Sequence, residues 1–131
     1  MDFLKIKETC LYVRDLEKAK SFYQDVLELP LISYLPGKHL FFNAGSSVLL
    51  LFNPEDSKTK KSPPAHYGGG KQHFAFEVRL SDYDQAKDWI LSKGIQITDT
   101  VVWQSGRQSF YFEDHEGNVL EIVPDQGIWP A

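Results

Sequence analysis

The stretch that decides the fold is LKIKETCLYV, which runs from Leu4 to Val13. Its side chains fall into two alternating sets, one of Thr9, Leu11 and Val13 and the other of Ile6, Glu8, Cys10 and Tyr12. Alternation with a period of two residues predicts a β-strand here. Asp15 follows as a candidate helix N-cap, and apolar side chains then recur at helical spacing from Leu16 to Leu27. The chain therefore opens with a strand and continues as one amphipathic helix that ends near Pro30.

Three short apolar runs follow the helix, each separated from the next by turn-forming residues. The runs are Leu31–Leu35, His39–Asn43 and Ser47–Phe52. Pro36-Gly37 lies between the first two, and Ala44-Gly45-Ser46 lies between the last two. Such residues are typical of hairpin turns. Residues 4–52 thus have the element order βαβββ, which defines a first module.

The same element order recurs in the second half of the chain. It follows a connection over residues 53–71 that is rich in Pro, Gly, Ser and Lys and is expected to be the most mobile part. The predicted elements are a strand Gln72–Val78, a helix Asp82–Lys93 closed by Gly94, and strands Gln96–Trp103, Gln108–Glu113 and Val119–Pro124. Val13-Arg14 in the first half matches Val78-Arg79 in the second. Residues 72–124 therefore form a second module of the same kind.

The length of the repeat indicates how the two modules are used. A unit of about 65 residues is too long for a solenoid repeat and too short for a comfortably stable separate domain. We therefore predict an α+β protein in which two βαβββ modules form a curved mixed sheet around a pocket. The modules would make one single domain over residues 1–131.

Composition and charge narrow the range of functions. The chain has 14 Lys and Arg against 18 Asp and Glu, which gives a formal net charge of −4. Nucleic-acid binding needs clustered positive charge, so we expect a small-molecule partner and no nucleic acid. The first residues, Met1–Lys5, contain charges and no long apolar run, and the single cysteine, Cys10, has no partner for an internal disulfide. These features predict a cytoplasmic protein without a membrane association.

Strand parity places three polar side chains on one face of the predicted sheet. Glu8, His73 and Glu121 each lie opposite the apolar set that would face the helices. Glu8 and His73 also occupy equivalent positions in the two modules, each five residues before the valine that ends its strand. An imidazole and two carboxylates converging on a concave face are costly unless they are paired or bind a metal. We therefore predict a divalent metal site, for which Fe, Mn, Zn, Ni and Mg are all suitable ions.

Several short motifs follow one another along the chain and together cover both modules. They are Glu8–Leu16 followed by Phe22-Tyr23, then His73–Phe76, then Tyr111–Asp114, and finally Gly117–Ile122. Their combination resembles the vicinal oxygen chelate superfamily, which comprises glyoxalases, bleomycin-resistance proteins and extradiol dioxygenases. The resemblance implies a glyoxalase-like fold with metal ligands at positions that correspond to Glu8, His73 and Glu121. The family commonly has a histidine where this chain has Glu8, and some members have a fourth ligand where this chain has Leu51.

The resemblance implies a metal-dependent enzyme that acts on a small molecule chelating the ion through neighbouring oxygens. The reaction would be of lyase, isomerase, transferase or dioxygenase type. Glu8 and Glu121 would act in catalysis, with Glu8 serving either as third ligand or as general base. The alternative is a metal-free protein that binds an antibiotic or another aromatic compound. A homodimer is expected, with the modules paired either within one chain or between two chains.

Five further side chains are candidates for contacting the substrate. They are Phe42, His66, Trp103, Arg107 and Tyr111. His66 lies in the connection between the modules, where it either covers the pocket or points to solvent. Arg107 either orients an anionic or oxygen-rich ligand or caps a hairpin. Trp103 and Phe42 either line the pocket or pack in the core.

Overall fold

A four-stranded mixed sheet and one helical segment make up most of the first half of the chain. The computed structural model describes residues 1–130 and contains two compact units, Met1–Gly70 and one that begins at Lys71. The elements of the first unit are β1 (Glu8–Tyr12), α1 (Leu16–Lys20) continued by a π-helical segment (Ser21–Val26), β2 (Leu31–Leu35), β3 (His39–Ala44), β4 (Ser47–Phe52) and α2 (Pro54–Ser57). The strand order is β1-β4-β3-β2, with β1 parallel to β4 and the other pairs antiparallel.

The second unit repeats this arrangement. Its elements are β5 (His73–Val78), a 3-10 turn (Leu80–Asp82), α3 (Tyr83–Ser92), β6 (Asp99–Val102), β7 (Gln108–Glu113) and β8 (Val119–Pro124). The strand order is β5-β8-β7-β6, again with one parallel pair, β5 with β8. The predicted α+β fold of two βαβββ modules is therefore confirmed, and each module forms a sheet of its own.

Most of the predicted elements are found with small changes at their ends. The bounds predicted for β2, β4, β7 and β8 are confirmed. The first strand begins at Glu8 and not at Leu4. Leu4 and Ile6 are 98% and 79% exposed, so burial of one side of this segment does not stabilise a strand there. The first helix changes to a π-helical segment because the backbone N–H of Leu27 donates to the carbonyl of Phe22, five residues earlier.

Each unit has its own hydrophobic core between helix and sheet. In the first unit the buried side chains include Leu11, Val13, Ala19, Tyr23, Leu40, Phe42, Leu49 and Leu51. In the second unit they include Tyr83, Ile90, Phe110, Phe112, Leu120 and Ile122. These sets follow the predicted strand parity except at Thr9, which is exposed. Within residues 1–130 no helix combines the length and the apolar character that crossing a bilayer requires.

The connection between the modules is more ordered than its sequence predicts. It begins with α2, whose N-cap Asn53 accepts a hydrogen bond from the backbone N–H of Glu55. Ser57 is only 1% exposed, and its hydroxyl donates to the carbonyl of His66 over 2.6 Å. The sequence did not predict these contacts, in which polar side chains anchor the connection where apolar ones are missing. The expectation that the connection is the most mobile part of the chain stays a prediction.

Candidate functional site

Two of the three predicted metal ligands are neighbours in the second unit. His73 begins β5 and Glu121 lies in the middle of β8, on adjacent strands of one sheet. His73 Nε2 is 3.2 Å from Glu121 Oε1. The Glu121 side chain is 8% exposed, whereas that of His73 is 50% exposed. A nearly buried carboxylate thus faces an imidazole that solvent can reach.

The hydrogen bond on the other side of the imidazole determines what Nε2 can offer. His73 Nδ1 lies 2.8 Å from the carbonyl oxygen of Val119. Because a carbonyl oxygen only accepts, Nδ1 must carry the proton, and in a neutral imidazole Nε2 then has a lone pair directed at Glu121. Two acceptors 3.2 Å apart repel each other unless a proton or a cation lies between them. Metal-binding histidines typically show this arrangement, with the second ring nitrogen donating to a carbonyl group.

Tyr111 completes the surroundings of Glu121. It lies directly opposite Glu121 in the pairing of β7 with β8, and its ring centroid is 6.0 Å from that of His73. Burial raises the pKa of Tyr111, the Ser109 hydroxyl lowers it, and the nearby Glu121 carboxylate raises it. Tyr111 and Glu121 therefore share one face of the sheet, with the phenol near the carboxylate.

The third predicted ligand, Glu8, lies in the first unit. It is the first residue of β1 and is exposed. Among residues 1–130 no three His, Cys, Asp or Glu side chains are close enough together to form a metal site. The structure thus brings His73 and Glu121 together, and a contribution from Glu8 stays a prediction.

The register of the two sheets shows which positions correspond between the units. Glu8 is paired with Val48 in the first sheet as His73 is paired with Val119 in the second. Leu50 lies two residues after Val48 in β4, and Glu121 lies two residues after Val119 in β8. Leu50 is therefore the counterpart of Glu121. The fourth ligand of other family members was expected at Leu51. That assignment is corrected to Leu50, because Leu51 is fully buried on the opposite face of β4.

A cavity of about 850 Å³ lies entirely within the first unit. Glu8 and Cys10 line it from β1, and Leu50 lines it from β4. Its aromatic lining consists of Tyr12, His39, Phe41, Phe52 and His66. The face that carries Glu121 in the second unit therefore carries an apolar and aromatic surface in the first.

The candidate substrate-contacting residues are distributed over both units. His66 lines the cavity, and its Nδ1 is 2.7 Å from the Tyr12 hydroxyl. Phe42 is fully buried and packs on Tyr23 with ring centroids 6.0 Å apart. A role for Phe42 in lining the pocket is thereby corrected, because the neighbouring Phe41 points to the cavity.

The other three candidates belong to the second unit: Tyr111 lies in β7 beside Glu121, and its contact with a substrate stays a prediction, while Trp103 and Arg107 lie near the β6–β7 hairpin. Trp103 is half-buried, and its indole N–H donates to the Ser109 hydroxyl over 2.9 Å. Arg107 is exposed, and its side chain packs closely against Gly127. These contacts give both side chains a structural role, and their contact with a substrate stays a prediction.

Sequence reasoning missed Phe41, Phe52 and Tyr12 as cavity residues. The signal for Tyr12 was available, since it shares a strand face with Glu8 and Cys10. Phe41 lies in the run Leu40-Phe41-Phe42, which is apolar on both faces. Its face is determined only by the pairing of Phe41 with Leu50 in the sheet.

Comparison with known proteins identifies the class. The family model of the Glyoxalase/Bleomycin resistance protein/Dioxygenase superfamily matches residues 5–122. A crystal structure of lactoylglutathione lyase from Agrobacterium tumefaciens is 32% identical, covers 95% of this chain and 96% of its own, and has a TM-score of 0.90. The chain therefore belongs to the Glyoxalase/Bleomycin resistance protein/Dioxygenase superfamily.

Two more distant structures share the fold. The glyoxalase/bleomycin resistance protein/dioxygenase from Nocardioides is 21% identical, with a TM-score of 0.75 over 100% of this chain and 91% of that one. A fosfomycin resistance protein, FosX, from Listeria monocytogenes, in complex with Mn(II) and a dihydroxypropylphosphonic acid, is 20% identical. Its TM-score is 0.67 over 95% of this chain and 93% of that one.

Proposed function

We propose that this chain is a metal-dependent enzyme acting on a small molecule that binds the ion through two neighbouring oxygens. The observation that carries the proposal is the close approach of two acceptors, His73 Nε2 and Glu121 Oε1, 3.2 Å apart. Two ligands about 2.1 Å from an ion and at right angles to each other are about 3 Å apart. The spacing in the second unit therefore fits adjacent ligand positions on one ion.

The donor set limits the identity of the ion. One imidazole and one carboxylate suit Fe, Mn, Zn, Ni or Mg, and a set without thiolates does not favour a soft ion. Glu8 is proposed as the third ligand because it occupies in the first unit the position of His73 in the second. In an assembly with exchanged modules, this Glu8 would come from a second copy of the chain.

The bound ion would supply Lewis acidity that stabilises negative charge on the chelating oxygens of the substrate. The residues of the chain would prepare that step. His73 is oriented by its hydrogen bond to the Val119 carbonyl, and Tyr111 lies opposite Glu121 in the pairing of β7 with β8. Glu8, on the exposed start of β1, would move the proton if it does not bind the ion.

Metal analysis tests the proposal. The purified chain should retain about one ion per chain by mass spectrometry after loading with Mn²⁺, Zn²⁺, Ni²⁺ or Fe²⁺. His73→Ala should lose it. Glu113→Gln is the matched control, because Glu113 is an exposed carboxylate of the same unit whose partner is Lys71, 3.4 Å away. A native chain that binds no ion under any loading condition would overturn the proposal.

The same metal analysis, together with a turnover assay, on a Glu8→Gln variant separates the two proposed roles of Glu8. Loss of the ion in Glu8→Gln assigns Glu8 as a ligand. A retained ion with turnover reduced more than about 100-fold assigns it as a general base, since positioned acid–base groups contribute about that much. Because of the lactoylglutathione lyase similarity, formation and loss of lactoylglutathione is the first turnover assay to run.

A second candidate function is favoured by the cavity in the first unit. Its volume of about 850 Å³ and its aromatic lining would suit a metal-free protein that binds an aromatic compound. This function predicts tight ligand binding without a bound ion and without turnover. Metal analysis therefore distinguishes it from the enzyme.

A homodimer is proposed as the assembly. Four apolar side chains near the N-terminus are 79–104% exposed, those of Met1, Phe3, Leu4 and Ile6, and a second copy would cover them. Sedimentation velocity at micromolar concentration should give the mass of two chains. A single monomeric species would contradict this proposal.

A further inference from the structure

The cavity of the first unit has features that metal binding does not require. One wall is the segment Ser57–Gly68, which we call the strap, and the opposite wall is the sheet. We propose that this cavity is a binding site for a planar aromatic group. That this group is part of the substrate rests on the proposed function, whereas the cavity is complete within the first unit.

The sheet wall is a continuous aromatic surface. The rings of His39 and Phe41 are stacked, with centroids 3.8 Å apart and planes inclined by 8°. Phe52 meets Phe41 edge to face with centroids 5.5 Å apart, and Tyr12 lies 6.4 Å beyond Phe52. A cation cage needs rings that surround an empty space, but these rings contact one another. The surface therefore suits a flat aromatic group that lies against it.

His39 acts as a neutral aromatic ring in this wall. Burial lowers its pKa, and the charge of Lys60 lowers it further. Its Nε2 is 2.9 Å from the Ser33 hydroxyl, which fixes the plane of the ring. A neutral and oriented imidazole stacked on Phe41 extends the apolar surface and does not add a charge to the cavity.

The strap is fixed as a wall by contacts at both of its ends. Ser57 donates its hydroxyl proton to the His66 carbonyl, and the His66 ring lies edge-on to Phe52 with centroids 4.6 Å apart. A hydrogen bond of 2.7 Å joins the Tyr12 hydroxyl and His66 Nδ1. Gly68 packs so closely that a Cβ there would lie 2.9 Å from the Tyr12 ring.

The dimensions fit a ligand of modest size. A volume of about 850 Å³ lies within the range of about 300–1,000 Å³ that is usual for small-molecule sites. Among the residues that the structure describes, only two charged side chains, Glu8 and Lys60, line the cavity, and Lys60 is paired with Asp56 at 3.3 Å. The lining therefore favours a ligand with a large aromatic surface more than a ligand with a charge.

The probe for the test is 2-naphthol, and its control is the saturated decahydro-2-naphthol, which has the same carbon skeleton without flat rings. Binding is followed by NMR through the ring protons of His39 and His66, assigned with His39→Gln and His66→Gln. 2-Naphthol should saturate below about 1 mM and shift both signals. The saturated control should bind at least tenfold more weakly. Equal affinity of the two compounds would overturn the proposal.

Two substitutions on the edge strand β2 locate the binding. Ile32 lines the cavity and is 49% exposed, whereas Leu35 is 47% exposed and is not part of the lining. Ile32→Trp should weaken 2-naphthol binding at least tenfold by filling the cavity, and Leu35→Trp should leave it within twofold. Similar effects of both substitutions, or of neither, would contradict binding at this cavity.

The His73→Ala variant separates this inference from the proposed function. It should lose the metal ion and still bind 2-naphthol with native affinity, because the cavity is formed by the first unit alone. A native chain that binds metal but not 2-naphthol overturns the aromatic site and leaves the enzyme intact. A chain that binds 2-naphthol but no metal under any loading condition retains the site and overturns the proposed function.

Discussion

The two units share one topology and differ on one face of their sheets. Their strand orders correspond, β1-β4-β3-β2 and β5-β8-β7-β6, and so do their parallel pairs. At the position of Glu121 in the second unit, the first has Leu50, and opposite these residues stand Tyr111 and Phe41. The second unit thus places a hydrogen-bonded carboxylate where the first places an apolar contact.

The duplicated fold gives the corresponding faces of its two sheets different chemistry. In the second unit the nearly buried carboxylate of Glu121 lies beside His73 and opposite Tyr111. The first unit has the apolar Leu50 at the corresponding position, and the same face of its sheet lines the cavity. On the proposals above, one unit would supply His73 and Glu121 as ligands of an ion, and the other would supply surface for an aromatic ligand. Four pairs of substitutions, ordered by expected effect, test this comparison.

Glu121→Leu makes the second unit resemble the first and should have the largest effect. Metal affinity should fall more than about 100-fold, since even the loss of an outer contact to a ligand costs about 10–100-fold. The free energy of unfolding should change by less than about 1 kcal/mol, because an apolar side chain replaces a buried charge. Mass spectrometry and urea unfolding measure the two. Retention of the ion at the level of a Glu113→Leu control would refute the role of Glu121.

Phe42→Ala and Phe41→Ala distinguish the two faces of β3. Phe42 is fully buried against Tyr23, so its truncation should lower the free energy of unfolding by about 3–5 kcal/mol. Phe41 is half-buried in the cavity wall, so its truncation should cost about 1–2 kcal/mol and weaken 2-naphthol binding. Chemical denaturation gives both values. Equal costs, or a larger cost for Phe41→Ala, would contradict the assignment of faces.

Gly68→Ala tests how firmly the strap is held, with Gly69→Ala as its matched control. A Cβ at position 68 would lie 2.9 Å from the Tyr12 ring, whereas one at position 69 would meet nothing within 4 Å. Gly68→Ala should therefore cost about 1–2 kcal/mol through overpacking, and Gly69→Ala should stay within about 0.5 kcal/mol. Thermal unfolding measures both. Indistinguishable variants would show that the strap does not pack on Tyr12.

The smallest expected effect comes from the helix caps. Asp15 accepts a hydrogen bond from the backbone N–H of Lys18 over 2.9 Å, whereas Asp82 makes no side-chain cap bond to α3. Asp15→Ala should cost about 1 kcal/mol, and Asp82→Ala a few tenths. Urea unfolding with matched controls resolves this difference. A larger cost for Asp82→Ala would contradict the cap geometry described for the two units.

The two helix N-termini show what the sequence predicts about capping and what it does not. Asp15 and Asp82 both begin a predicted helix, and both helices form. Only the structure separates them, because a 3-10 turn from Leu80 to Asp82 precedes α3 and leaves Asp82 in helical backbone geometry. A cap depends on the backbone angles at one residue, and residue type alone does not determine these angles.

Local sequence patterns did not predict the order of the strap or which aromatic residue of β3 is buried. The residues from Asn53 to Lys71 have almost no apolar periodicity, yet Ser57, His66 and Tyr12 order this segment through contacts up to 54 residues apart. Phe41 and Phe42 are equally apolar, and only the register of β3 with β4 decides that Phe42 is the buried one. Neither result could be obtained from neighbouring residues along the chain.

The sequence by itself determined the duplicated βαβββ order and placed His73 and Glu121 on one sheet face, because apolar alternation and strand parity are local properties. The tertiary structure alone decided that these two groups meet at 3.2 Å, that Leu50 replaces the acidic residue in the first unit, and that the strap closes a cavity there. The reason is physical, since distances between strands, registers and long-range hydrogen bonds depend on residues far apart in the chain.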